Sequence, residues 1–308
     1  MKSISLILKG VFMGIADLVP GVSGGTIALV FGIYDEFIFS LSKISISSLF
    51  ILKNNGIKAF WKEINGIFLL KLFSGIITGV SLFTFLIDWL IKNHSIPLWA
   101  FFSGIILSSV IFIYKNVKKP KVNLLLYFVL GLLFSFIINQ LSPSLKSDSL
   151  NGLYLFFSCL IAISAMILPG ISGAYMLILF GTYSEVISTI KSLLNIFIKQ
   201  DFTNINLILY KTTIIGCGII SGLLIFSKLF KWLLVKHYDV TLVFMIGLML
   251  GSIHKIWPWK EGGENILPQN YPDENHLILS IFSFIFGILF INTIQFFEKK
   301  NINDKQKN

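Results

Sequence analysis

Hydrophobic positions along this chain fall in long, nearly unbroken blocks, not in the alternation of a half-buried strand or the single stripe of a soluble helix. Such blocks cover about 64–91, 97–114 and 123–141, and again about 207–235, 240–256 and 276–297, lengths suited to helices across a bilayer. Ahead of each trio lies an interrupted block, residues 4–44 and 151–196. In the first of these, about 16 apolar residues (4–19) fall short of a hydrocarbon core roughly 30 Å thick. A break of small residues follows, and a second apolar run then extends from 26 to 44. A short helix in, a tip and a helix out is the pattern of a re-entrant hairpin. The pattern predicts an all-α, polytopic membrane protein.

The breaks themselves are alike. Pro20-Gly21-Val22-Ser23-Gly24-Gly25-Thr26 is echoed about 149 residues later by Pro169-Gly170-Ile171-Ser172-Gly173-Ala174-Tyr175. Proline removes a backbone donor and glycine loosens the chain, so both breaks interrupt a helix. Inside a bilayer the freed backbone groups must be satisfied by protein, water or a ligand. The likeness extends further: Gly75-Ile-Ile-Thr-Gly79 aligns with Gly218-Ile-Ile-Ser-Gly222, and in the same register Trp89, His94 and Gly104 meet Trp232, His237 and Gly247. We therefore expect two homologous halves, 1–148 and 149–308, forming one membrane domain. Each half holds one re-entrant hairpin (4–44; 151–196) and three spans. Three is an odd number, so the second half enters the membrane from the opposite side. An inverted-topology repeat of this kind belongs to transporters that alternate access around a central site.

Composition sharpens the class. Of 308 residues, 55% are hydrophobic and 15% aromatic, and the mean hydropathy is +0.82, which excludes a soluble protein. The net charge of +10 comes entirely from lysine, for the chain contains no arginine. Those lysines are scattered over short loops, as positive-inside topology requires and a nucleic-acid partner does not. Placing both termini in the cytoplasm leaves most lysines inside, and the loop with Glu261, Glu264, Asp273 and Glu274 outside. The start, MKSISLILKG, is like that of a signal peptide, but no cleavage site follows, so the segment reads as retained. Cys159 and Cys217 read as buried small hydrophobes. No His/Cys/Asp/Glu cluster has metal spacing, and neither a metal nor a cofactor is expected.

The candidate chemistry lies at the breaks. Ser23 and Ser172 are natural N-caps, and glycines in a first helical turn leave N–H groups uncovered. A helix N-terminus of this kind favours anions, phosphate above all. Pro20, Gly21, Ser23, Gly24, Gly25, Thr26, Pro169, Gly170, Ser172 and Gly173 are thus the expected phosphate-binding residues, with the two tips meeting near the midplane. The alternative is that small residues serve only close helix packing, the preferred reading for Gly75, Gly79, Gly218 and Gly222. Asp17 either binds a proton or coupling cation or caps the broken helix; Met166 stands at its place in the second half. Glu36 and Glu185 match between halves and read as ion-coupling or gating groups, or else as interfacial anchors about 15 Å from the tips. Lys71 and Lys211, at the starts of matching spans, read as first contacts for incoming phosphate or as snorkelling side chains. His94 and His237 fall at matching loop ends, and His254 and His276 have no counterpart.

Met13-Gly14-Ile15-Ala16-Asp17-Leu18-Val19-Pro20-Gly21-Val22-Ser23-Gly24-Gly25-Thr26, Gly32-Ile33-Tyr34 and Leu168-Pro169-Gly170-Ile171-Ser172-Gly173 resemble a bacterial family once catalogued as a domain of unknown function. Its members are regarded as polyprenyl-phosphate (undecaprenyl-phosphate) translocases of the PopT type. The resemblance covers essentially the whole chain and departs at Ala174-Tyr175, where the family keeps another small hydroxyl residue. It implies a multi-pass protein of the bacterial cytoplasmic membrane that returns the lipid carrier monophosphate from the outer to the cytoplasmic leaflet for cell-wall synthesis. Two rivals differ in class. An integral-membrane polyprenyl-diphosphate phosphatase would want an arginine where Gly24 stands and a carboxylate pair beside the loop. A small-oxyanion transporter would use the same tips without the lipid. The expected protein is a transporter, not an enzyme.

Overall fold

Each long apolar block folds as helix in the computed structural model, which describes residues 3–18, 23–120, 122–141, 151–199, 204–262 and 264–306. The first half contains α1 (Ser3–Asp17), α2 (Gly24–Val30), α3 (Tyr34–Lys43), α4 (Ile46–Glu63), α5 (Gly66–Asn93), α6 (Ser95–Tyr114) and α7 (Leu124–Gln140). The second contains α8 (Gly152–Ile167), α9 (Gly173–Leu179), α10 (Tyr183–Lys199), α11 (Ile205–Lys236), α12 (Tyr238–Ser252) and α13 (Leu277–Gln306). Among the described residues, five helices are long and apolar enough to cross a membrane, or up to seven if each of two bent pairs is one span. The chain is a polytopic membrane protein. Leu82 and Phe85 on α5, and Ile278 and Phe282 on α13, are exposed large apolar side chains, as a lipid-facing surface demands. Cys159 is buried as expected, but Cys217 lies on the exposed face of α11. Position in an apolar block says nothing about which face a residue takes.

The outgoing arm of each hairpin departs from the single helix expected over 26–44. It breaks again, and α2 and α3 meet at 119° while α9 and α10 meet at 114°. Gly32 (φ +61°) and Gly181 (φ +65°) take the left-handed conformation that ends a helix. The next residues close the turn, Ile33 N–H donating to Ala28 O and Thr182 N–H to Leu177 O. The straight-helix estimate of about 15 Å from the tips to Glu36 and Glu185 therefore fails. The stretch with Lys53, Lys58 and Lys62 after the first hairpin, whose lysines suggest a loop, is α4, kinked at Gly56. A capping box starts it, with Ser45 and Ser48 bonding each other's backbone N–H. The acidic loop is also ordered. A 3-10 turn (Ile253–Ile256) leads to a two-stranded hairpin, β1 (Lys260–Glu261) and β2 (Glu264–Asn265), with Lys260 opposite Asn265.

Close helix contacts hold these elements. α1 packs on α5 and α8 on α11. A Cβ at Gly75 would lie 2.2 Å from Ile7 O, and one at Gly218 2.6 Å from Phe156 O, so these glycines serve packing. The remaining major pairs cross between the expected halves: α6 with α13, and α7 with α12. Ala28, Val30, Ile38, Leu72, Ile106, Met245, Leu248 and Met249 are fully or almost fully buried at the centre. That core surrounds the first broken helix.

Candidate functional site

The first tip is built by α1 and α2. Pro20 and Gly21 lie outside the described residues. Ser23, in extended conformation, caps α2 and accepts a hydrogen bond from Gly25 N–H at 3.1 Å. Asp17, the last residue of α1, accepts from Gly24 N–H at 2.7 Å. The first-turn donors expected to be bare are thus already engaged, one by a carboxylate and one by the cap. Their reach across the break explains the difference, since Asp17 is seven residues from Gly24. Ser23, Gly24, Gly25 and Thr26 are all buried. Thr26 Oγ1 has no hydrogen-bond partner among the described residues, an expensive arrangement for a buried hydroxyl.

The second tip is more open. Pro169 and Gly170 are buried in the turn, where Gly170 comes so close to α12 that a Cβ would lie 2.8 Å from Leu248 O. Ser172 caps α9 by accepting from Tyr175 N–H at 3.4 Å, and Gly173 lies against Ala162 of its own hairpin. Ser172 and Tyr175 are half-buried and Ala174 is exposed. The first motif docks on the residues leading into the second. Ser23 Oγ donates to Met166 O at 3.2 Å and Tyr34 OH to Ile167 O at 3.2 Å. Met166, which stands where the first half has Asp17, contributes a carbonyl to the other tip.

The far ends of α2 and α9 share a device that the sequence reading missed. Phe31 O accepts from Lys9 Nζ at 2.8 Å, and Phe180 O accepts from Tyr154 OH at 2.8 Å. Each orphan carbonyl at a helix C-terminus is covered by a side chain from the incoming arm. Lys9 carried a legible signal, since it and Asp17 are the two charges within the apolar run 4–19.

Among the other expected residues, Glu185 and Lys211 come together at 2.5 Å as an ion pair between α10 and α11. Glu36 is exposed and accepts from Asn65 Nδ2 at 3.0 Å. Lys71 is half-buried on α5. His94 and His237 precede α6 and α12 and lie edge-on to Trp89 and Trp232, at 5.0 and 5.4 Å. Among the described residues no group of three His, Cys, Asp or Glu side chains is placed to hold a metal. The Glu185–Lys211 pair is only partly exposed, so its coupling should exceed that of a surface pair. A double-mutant cycle with Glu185→Gln and Lys211→Met, read by thermal unfolding in detergent, is expected to give about 1 kcal/mol. A coupling near zero would leave the pair without a structural role.

Both motifs, and all the residues just placed except Lys9, fall within residues 13–271, which match a family model described as VCA0040-like, undecaprenyl phosphate translocase-like. The chain belongs to this family. It is 44% identical over 262 residues to a polyprenyl-phosphate transporter of Vibrio cholerae serotype O1, covering 85% of this chain and 80% of that one. It is 33% identical over 265 residues to a polyprenyl-phosphate transporter of Staphylococcus aureus, covering 82% and 85%. No solved structure matches the chain. Both translocase-family relatives carry the name of a transporter, and neither that of a hydrolase.

Proposed function

We propose that this chain is a flippase that carries undecaprenyl or another polyprenyl phosphate from the outer to the cytoplasmic leaflet of the bacterial cytoplasmic membrane, returning carrier lipid to cell-envelope synthesis. The names of the two relatives support the substrate class. The observation that carries the site is the Asp17 carboxylate on Gly24 N–H, two residues before Thr26, whose buried hydroxyl has no partner among the described residues. A carboxylate oxygen is a fair stand-in for a phosphate oxygen, so the first tip is a seat for an anion that its own side chain occupies.

The cycle follows from that exchange. Phosphate displaces Asp17 and takes the Gly24 and Gly25 N–H groups with the Ser23 and Thr26 hydroxyls. Pro169, Gly170, Ser172 and Gly173 shape the second turn, and Pro20 and Gly21 stand as phosphate-binding candidates by their place in the first motif. Asp17, once displaced, needs a proton or cation, which makes it the first candidate for coupling, with Glu36 and Glu185 behind it. Lys211 meets phosphate only when Glu185 releases it, and Lys71 is the matching candidate on α5. The crossed pairing of α6 with α13 and α7 with α12 supports two inverted halves rocking about the tips. Movement down a carrier-lipid gradient needs no ATP, and the chain has no P-loop motif.

The test is purified protein in liposomes, with the leaflet accessibility of polyprenyl phosphate followed over time beside a diphosphate-hydrolysis assay. Wild type is expected to speed exchange without releasing phosphate. Ser23→Ala/Ser172→Ala should lose most of that rate. Each lost cap costs about 1 kcal/mol of local stability, too little to unfold the protein by itself. Phosphate release without exchange would make the chain an enzyme and remove this reading.

A further inference from the structure

The 3-10 turn and hairpin after α12 hold a pair of lysines that the proposed cycle has not used. Lys255 closes the 3-10 turn beyond α12, and its ammonium lies 4.6 Å from the centroid of the Tyr175 ring. Lys260, on β1, turns inward so that its Nζ donates to Lys255 O, with the Trp99 ring 5.7 Å away. Lys255 therefore lies over a ring of the second tip with Lys260 drawn against its backbone, and neither forms an ion pair among the described residues. Lys255 spends none of its three N–H donors on a hydrogen bond there, and Lys260 spends one. A lysine at the end of a span ordinarily snorkels towards water, but Lys260 is half-buried against a second positive charge.

The surrounding loop holds this arrangement in place. Trp257 Nε1 donates to Ile266 O and Trp259 Nε1 to Asn275 O, both at 2.8 Å, and the Trp259 side chain is buried. Asn265 Nδ2 ties the hairpin back to His254 O at 2.9 Å. On the other side, Tyr175 OH bonds Asn139 O and Leu141 O at the end of α7. The acidic residues of the loop lie apart: Glu261, Glu264, Asp273 and Glu274 are exposed. Burial first, and the Lys255 charge second, bring the Lys260 ammonium down to about 8. The pair is thus held together at a cost that a bound anion would relieve.

We infer that Lys255 and Lys260 form a docking site for a phosphate monoester group, beside the second tip, that loads the substrate before it reaches the buried first tip. The inference rests on the proposed function for the identity and side of the lipid. Two ammonium groups match the two charges of a phosphate monoester, and a chain without arginine has to use lysines as point charges for this task. The aromatic rings of Trp99 and Tyr175 give the site the amphipathic wall found at membrane interfaces. The two tips then differ in kind. The first contains its own carboxylate, and the second has Met166 at that position and cations above it.

The experiment measures binding of polyprenyl phosphate to the full chain in nanodiscs, for wild type, Lys255→Gln/Lys260→Gln and Lys255→Arg/Lys260→Arg. Polyprenol and inorganic phosphate serve as competitors, and elution profile and melting temperature are read in parallel. The glutamine pair is expected to lose at least about tenfold in affinity, or roughly 1.4 kcal/mol. The arginine pair should stay within about threefold of wild type, and polyprenol should not compete. Inorganic phosphate should compete only at far higher concentration than the lipid. Wild-type affinity in a folded glutamine variant overturns the site, as does lost binding in a folded arginine variant. Inorganic phosphate binding as tightly as the lipid would reassign the site to free phosphate and overturn the lipid-loading role. Exchange in liposomes separates the two readings. If wild type exchanges lipid and the glutamine pair does so with unchanged half-saturation, the cation site falls and the function stands. If wild type binds through the lysines but exchanges nothing, the function falls and the phosphate site stands.

Discussion

Gly24→Leu should insert and fold yet lose leaflet exchange by about 100-fold, equivalent to about 2.7 kcal/mol of substrate binding. A Cβ at Gly24 would lie 2.7 Å from Asp17 Oδ2. The clash is with the end of a side chain, which can swing away, so the helix survives. The branched leucine then covers the N–H group and the space that phosphate would take from Asp17. Gly25 is a built-in contrast. There a Cβ would lie 2.6 Å from Ile167 O, a backbone atom that cannot move without shifting α8. Gly25→Leu should therefore reduce folded protein as well as exchange. Measuring folded yield, melting temperature and liposome exchange for both variants separates loss of a site from loss of a fold. Normal exchange by a well-inserted Gly24→Leu protein would count against phosphate binding at this tip.

The largest loss of stability is expected at the crossed helix pairs. A Cβ on Gly247 would lie 2.3 Å from Phe128 O, and one on Gly131 would lie 2.2 Å from Phe244 O. The contact is reciprocal: each glycine of the α7–α12 pair faces a carbonyl of the other helix. Gly104 and Gly287 do the same for α6 and α13, against Phe284 O and Phe101 O. Helices in lipid gain no hydrophobic drive from meeting each other, so close approach supplies most of their attraction. Gly247→Leu must push two backbones apart along their whole contact. Its cost should reach about 3 kcal/mol or more, at the upper end for overpacking. Thermal unfolding in detergent should show it as a large fall in melting temperature, with Gly247→Ala in between. An unchanged melting temperature for Gly247→Leu would mean that the pair is not closely packed in the bilayer.

Sequence alone carried much of this architecture because its strongest signals are local. Apolar blocks marked the spans, and Pro-Gly followed by serine marked both breaks and both caps. Gly32 and Gly181 were visible as matching residues but not as second breaks, because a positive φ depends on the turn that Ile33 and Thr182 close. α4 was obscured by its lysines, although Ser45 and Ser48 spell its capping box. The site was legible as far as its residue types and no further. That Asp17 meets Gly24 is a contact across seven residues, which no local pattern spells out. That Glu185 meets Lys211 depends on two helices folding together. In the sequence Lys255 falls at the end of the apolar block 240–256 and Lys260 beside Glu261, and only the folded loop brings them together.

The crossed pairing also bears on how the protein is made. As the chain leaves the ribosome, α1 can pack with α2 and α5, but α3, α6 and α7 emerge long before α11, α13 and α12, the partners they need. Until α12 and α13 are inserted, Gly104 and Gly131 face lipid where carbonyls of other helices belong. The first half must therefore wait in the membrane half-assembled, with its longest-range contacts formed last. A chain stopped after α7 would present two glycine-notched helices to any other protein in the bilayer, which makes the final helix the step that commits the molecule to its fold.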